Sequence, residues 1–178
     1  MVLSDRTIRE EIAKGRLSIE PLEPGHIQPA SVDVRLDARI LIFRQPSNGF
    51  IDIRAVNSDL TEPIDLKPDQ PFVLNPNDFI LVRTLESLTL PDDIVAKVEG
   101  KSSLGRIGLM VHITSGYVDP GWSGKLTLQL KNAGVMPIGI YAGMKIAQLS
   151  FLRTTSPVDA PYGSSRLGSH YQGGHKQL

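Results

Sequence analysis

Apolar and polar positions follow two rhythms along this chain. Near the start, Ile8 and Ile12 lie one helical turn apart with Arg9, Glu10 and Glu11 between them, which predicts a surface helix with a narrow apolar stripe. Ser4 is placed to cap it, Asp5 sits in the first turn where the dipole favours an anion, Lys14 closes the helix and Gly15 stops it. The helical period then disappears. Ser31-Val32-Asp33-Val34-Arg35-Leu36 alternates strictly, as a half-buried strand does. Short β-rich runs follow at 40–43, 72–74, 79–82, 94–98, 126–130, 138–141 and 146–151. Turn residues separate them: Pro46-Ser47-Asn48-Gly49, Asn75-Pro76-Asn77-Asp78, Pro120-Gly121 and Asn132-Ala133-Gly134. Many short strands with frequent turns predict a mainly β sandwich or barrel behind a short N-terminal helix.

At 178 residues the chain suits one domain spanning 1–178 with a core that needs no staples. It has no cysteine, which excludes a disulfide framework, a thiol nucleophile and any cysteine-ligated zinc, and fits a cytoplasmic protein. No apolar run approaches the roughly 18 residues of a spanning helix, and the N-terminus lacks the apolar stretch of a signal peptide, so no membrane partner is expected. Net charge is zero, which argues against a general nucleic-acid coat protein. The balance is uneven: residues 1–96 hold 10 basic and 16 acidic side chains, residues 97–178 hold 9 and 3. The two halves neutralise each other in the fold, or the basic half receives a small anionic ligand.

The segment 161–178 has no acidic residue, four glycines and no apolar periodicity. It reads as a frayed tail or as a mobile lid in which Tyr162, Arg166, Tyr171 and Gln172 supply stacking and hydrogen bonds.

Polar chemistry concentrates in Glu99-Gly100-Lys101-Ser102-Ser103-Leu104-Gly105-Arg106. Hydroxyls, cations and glycines at this density can wrap phosphates, although position 95 is Val and the segment is not a Walker loop. Taken alone it is also an ordinary polar turn. The histidines His26, His112, His170 and His175 show no metal-ligand spacing, and His112, between Val111 and Ile113, reads as a core histidine. Asp119, before Pro120-Gly121, is either a turn residue or a buried carboxylate facing a sugar hydroxyl or a water.

These residues resemble the deoxycytidine triphosphate deaminase family, within the dUTPase-like group. The similarity runs through Leu3-Ser4-Asp5, Gln28 to Leu36, Glu99 to Arg106, His112 to Gly124, Pro137 to Leu149 and Pro161-Tyr162-Gly163-Ser164-Ser165-Arg166. It implies a distorted β-barrel of the β-clip type with a flexible C-terminal lid. It also implies a homotrimer with active sites between subunits and zinc-independent deamination of dCTP bound with Mg2+. Without cysteine the signature of zinc deaminases cannot exist. By the same resemblance Lys101, Ser102, Ser103, Leu104, Gly105 and Arg106 line the substrate, with Ser102 and Arg106 also catalytic. Ser115 and Gly116 adjoin it, Asp119 contacts the 3′-hydroxyl, and Thr127 and Leu128 read the pyrimidine through their backbone. Gln148, Tyr162 and His170 meet the triphosphate or close over it.

The family carries glutamate where Gln129 stands, lysine at His170 and glutamine at Gly174. An amide has no useful basicity, so Gln129 points to an inactive or diverged deaminase. A dUTP diphosphatase without deaminase activity, or a non-catalytic nucleotide-binding homologue, are the alternatives. Gly116 leaves space for a water near the α-phosphate and matches the dUMP-forming members, with dTTP a candidate inhibitor.

Overall fold

A computed structural model describes residues 1–44, 49–54, 60–169 and 171–173. The helix α1 (Asp5–Ala13) forms as its pattern predicts. Ser4 Oγ accepts the Thr7 N–H at 3.5 Å, Lys14 is the C-cap, and Gly15 follows at φ +69°. Its inner face buries Ile8 and, less expectedly, Glu11.

The strands are β1 (Ser18–Glu20), β2 (Ile27–Gln28), β3 (Ser31–Phe43), β4 (Thr61–Asp65), β5 (Phe72–Leu74), β6 (Phe79–Thr89), β7 (Ile94–Gly100), β8 (Leu109–Val111), β9 (Tyr117–Val118), β10 (Ser123–Asn132), β11 (Ile138–Ile140) and β12 (Lys145–Arg153). A short helix, α2 (Ser102–Gly105), lies between β7 and β8. The main sheet runs β8-β10-β6-β3-β12-β7-β9, with β1 on β6 and with β2 and β4 on β3, while β5 and β11 form a separate pair. Every pairing is antiparallel.

The sheet curls because single strands serve two neighbourhoods. Residues 32–35 of β3 pair with β12, and residues 40–42 pair with β6 after a register shift. Such irregularities bend a strand and increase its twist. Two expected runs, 31–36 and 40–43, are therefore one continuous strand. The polar residues between them sit on its outer surface, so the apolar rhythm breaks while the backbone does not. The turn expected at 46–49 falls largely outside the described residues.

The core lies inside the curl, with Leu36, Ile40, Ile94, Leu128, Leu130, Ile146 and Phe151 all fully or nearly fully buried. On β10, Leu126, Leu128 and Leu130 face the core while Thr127, Gln129 and Lys131 face the other way. Asn132 ends this inward row. Its Nδ2 donates to the carbonyls of Leu74 and Met136 at 2.9 and 2.8 Å, and its Oδ1 accepts the Gly134 N–H at 2.9 Å, so the buried amide is satisfied.

The start of the chain is sewn to β12. Leu3 N–H donates to Phe151 O at 2.8 Å, and Val2 bridges to Leu152. Beside this seam Glu11, Arg16, Asp93 and Arg153 close a ring. Arg16 donates to Glu11 at 2.7 Å and also reaches Asp93, while Arg153 donates to Asp93 at 2.8 Å and to Glu11 at 3.0 Å. Burial alone would raise the Glu11 pKa, but the two guanidinium groups hold it below the ordinary carboxylate value. No helix among the described residues is long and apolar enough to cross a membrane.

Candidate active site

Most of the expected site residues gather in two concavities that share no lining residue, while Leu104, Arg106, Gly116 and Leu128 line neither. The first, about 810 Å³, is bounded by Lys101, Ser102, Ser103 and Gly105, by Gly108 to Val111 with Ala133, and by Gln148. Ser102 and Ser103 are exposed at the start of α2, Leu104 tucks against the core, and Arg106 is an exposed C-cap. The run 99–106 is thus neither a simple turn nor a simple loop. It ends β7, turns through a single helical turn and exposes its hydroxyls.

Asp33 does not line this concavity but is partnered with two residues that do, Lys101 and Gln148. Register places Asp33 opposite Gln148 on the adjacent strand. Its carboxylate is 3% exposed and pairs with Lys101 and, at 3.0 Å, with Lys145. Burial would raise its pKa, yet the hydrogen bonds and charges of the two lysines hold it lowered. Two ammonium groups on one carboxylate leave a net positive charge beside the concavity, with Lys101 on its wall. With Ser102, Ser103 and the Gln148 amide this donor-rich surface suits phosphate oxygens. Gln148 is oriented by Ser31, whose hydroxyl donates to Oε1 at 3.4 Å.

The second concavity, about 350 Å³, lies over the outward face of β10. Thr127 and Gln129 line its floor, with Leu81, His112, Ser115, Asp119, Trp122, Tyr162 and Tyr171 around them. Gln129 O accepts the His112 N–H at 2.8 Å, and β8 ends at Val111. Beyond that point, among the described residues, this edge of β10 is met only by the bridge from Gly173 to Gly124. Alternation turns the Thr127 backbone N–H and C=O toward the same open edge. Leu128 has its side chain wholly in the core, and the same alternation turns its backbone N–H and C=O into the ladder with β6, so it offers the pocket no free polar group.

One residue stands differently from its sequence reading. His112 is not a core histidine. It adopts φ +59°, which swings the ring to the cavity wall, where Nε2–H donates to the Ser115 carbonyl and Nδ1 is buried without a partner among the described residues. Asp119 is exposed at the rim rather than buried, and its carbonyl also accepts the Trp122 N–H at 3.2 Å to close the turn. Gly116 does not open onto the cavity. A Cβ there would stand 3.3 Å from the Val98 carbonyl oxygen, and Gly116 lines neither concavity.

The tail 161–169 and 171–173 is not frayed. Tyr162 packs on Trp122 with ring centroids 5.5 Å apart, and its hydroxyl accepts the Tyr171 N–H at 3.0 Å. Gln172 Nε2 donates to Gly121 O at 3.1 Å. Gly173 bridges to Gly124, where a Cβ at φ +134° would collide with the Gly173 backbone at 2.6 Å. The tail thereby roofs the second concavity. His170 and Gly174 lie outside the described residues.

Sequence reasoning missed Asp33 and Lys145 as a pair with Lys101. Asp33 falls on the polar phase of its alternating strand, with Ser31 and Arg35, so nothing in one dimension marks it as buried or gives its partners.

A strongly curled antiparallel sheet behind a short N-terminal helix is a fold of the dUTPase-like kind. Solved neighbours agree. A dUTPase from phage phi11 of S. aureus superposes with TM-score 0.52 over 80% of this chain and 93% of its own, at 15% identity, a likeness of fold alone. A 2′-deoxycytidine 5′-triphosphate deaminase from Agrobacterium tumefaciens superposes with TM-score 0.67 at 27% identity, covering 86% of this chain, which spans about half (47%) of that one. A model of the dCTP deaminase-like family matches residues 2–154, and the chain belongs to that family. Among its relatives, proteins named "dCTP deaminase, dUMP-forming" from a Nocardioides species and from Mycolicibacterium paratuberculosis are 53% and 51% identical over 173 residues, each match covering 97% of this chain and 91% of the relative.

Proposed function

We propose that this protein hydrolyses pyrimidine deoxynucleoside triphosphates as a zinc-independent, dUMP-forming member of the dCTP deaminase family. In that reaction water replaces the 4-amino group of dCTP, releasing ammonia, and a second water releases pyrophosphate to leave dUMP. The observation that carries this reading is the pocket over β10, where the open Thr127 edge, the Gln129 amide and the Asp119 carboxylate meet under Tyr162. In this reading the pyrimidine edge lies on the open Thr127 backbone, the ribose hydroxyl on Asp119, and the 4-substituent at Gln129.

The phosphates go to the cradle of Ser102, Ser103, Arg106 and Gln148. Since that cradle and the β10 pocket share no residue on one chain, the reading completes each site from two copies in a homotrimer. An apolar surface beside the cradle supports this association. Ile107, Met110, Val135 and Met136 are exposed there, the last two at 88% and 70%, and the two loops are joined by Ala133 N–H donating to Gly108 O at 2.9 Å. The cradle's cations and hydroxyls favour phosphate over a resident metal ion, so Mg2+ enters as part of the triphosphate substrate. Arg106 then supplies a fixed planar charge to the polyphosphate and reacting ring.

Gln129 can hold a water by hydrogen bonds, but it cannot take and return its proton. The deamination half-reaction is therefore expected to be slow relative to pyrophosphate release. Ammonia release from dCTP and pyrophosphate release from dUTP, measured side by side with Mg2+, test the proposal. Loss of both reactions, with no triphosphate binding, would refute it.

A further inference from the structure

Gln129 does more than lack a base, because its amide is held one way round. The Ile113 backbone N–H donates to Gln129 Oε1 at 3.3 Å. An N–H has only a hydrogen to offer, so the oxygen end of the amide must face it. The Nε2H2 end is left for the cavity, where Gln129 forms part of the lining. Gln129 Oε1 is thereby engaged on the wall, and the group presented to a ligand is a donor. A carboxylate at the same position presents an acceptor whichever oxygen Ile113 takes.

This difference has a chemical consequence for the base. A 4-amino pyrimidine offers donors at position 4, whereas a 4-oxo pyrimidine offers an acceptor. We propose that Gln129 is a specificity residue that sets the pocket to prefer uracil or thymine rings over cytosine. The proposal rests on the placement of the 4-substituent at Gln129 described above. A 4-oxo group completes the Nε2 donor. A 4-amino group sets donor against donor, and leaves both unpaired when the roof of Tyr162 and Tyr171 excludes water. The ligand class is accordingly the 4-oxo pyrimidine deoxynucleoside triphosphates, with the 4-amino forms as poor ligands.

Isothermal titration of the full chain tests this with Mg2+ and the α,β-imido forms of dUTP and dCTP, whose blocked phosphate bridge resists hydrolysis, with the dATP analogue as a purine reference. The parent should bind the uracil analogue about 10- to 100-fold more tightly than the cytosine analogue. In Gln129→Ala that ratio should fall to near one, because neither end of the amide is present. Equal affinity of the parent for the two pyrimidines, both tighter than the purine, overturns the specificity role while leaving the pocket assignment standing. A preference that survives in Gln129→Ala overturns it as well. Pyrimidines that bind no better than the purine analogue defeat the pocket assignment itself, and this inference with it.

Discussion

Glu11 on α1 and Arg153 at the end of β12 lie 142 residues apart in the chain and meet in an ion pair of 3.0 Å. Arg16 and Asp93 complete the ring. The N-terminal helix is thus fixed to the sheet by charge as well as by Ile8, and the beginning of the chain is fixed close to the end of its last strand.

This ring has a pH signature. The Glu11 pKa is lowered in the fold from an ordinary 4.5. Its stabilisation is complete above that value and is lost as pH falls through the lower folded value. Glu11→Gln should cost about 1–3 kcal/mol at neutral pH, discounted from a fully buried pair because both arginines are partly exposed. Thermal melts from pH 7 to pH 3 should bring variant and parent together as the acid limit is approached. Curves that stay parallel throughout would mean that Glu11 titrates alike in the folded and unfolded chain.

Asp33→Asn removes the carboxylate shared by Lys101 and Lys145. We expect a loss of about 1–3 kcal/mol of stability in denaturant titrations, with triphosphate affinity also reduced as Lys101 loses its anchor. Unchanged affinity in a folded Asp33→Asn variant would separate Asp33 from the cradle.

Gln129→Glu restores a group able to move protons at the pocket. Ammonia release from dCTP should rise by about 100- to 10,000-fold, the usual worth of a placed general base. A variant that binds dCTP and releases no more ammonia than the parent would contradict the role given to position 129.

Arg106 is exposed and carries no fold of its own. Arg106→Ala should leave stability within about 0.5 kcal/mol and weaken triphosphate binding by about 1.5–3 kcal/mol. Arg106→Lys should recover only part, for want of the planar fork. Calorimetry with Mg2+ and the α,β-imido form of dUTP decides it, and undiminished affinity in Arg106→Ala would remove the residue from the site.

Tyr162→Phe keeps the ring against Trp122 but removes the acceptor of the Tyr171 N–H. Exchange of the Tyr171 amide should quicken by roughly fivefold, one hydrogen bond's worth. No change in that rate would show that the roof is held by other contacts.

How much of this was legible depends on the scale of the interaction. The helix was readable from Ser4, Ile8, Ile12 and Gly15 because its signals are local. The long strands showed wherever one face is buried, as at 31–36 and 126–130. The edge strands β1, β2 and β9 were not, since two or three residues carry too little period. The Lys101-to-Arg106 cradle could be named from its composition. Its separation from Gln129 could not, because that is a property of how the sheet curls. His112 misled because its apolar neighbours predicted a side chain direction that a left-handed backbone reverses. The bond that fixes the Gln129 amide comes from a main-chain N–H, and a backbone donor leaves no mark in the identity of Ile113.

The seam between Val2 and Leu152 closes the sheet before the tail begins. Past Arg153 the chain makes backbone bonds to Asp92 and Asp93 and then runs out to roof the pocket. The folding problem is therefore finished before the roof is written. Change in the roof is inherited as change in how long a nucleotide is kept, and change in the seam as change in whether there is a protein to keep it.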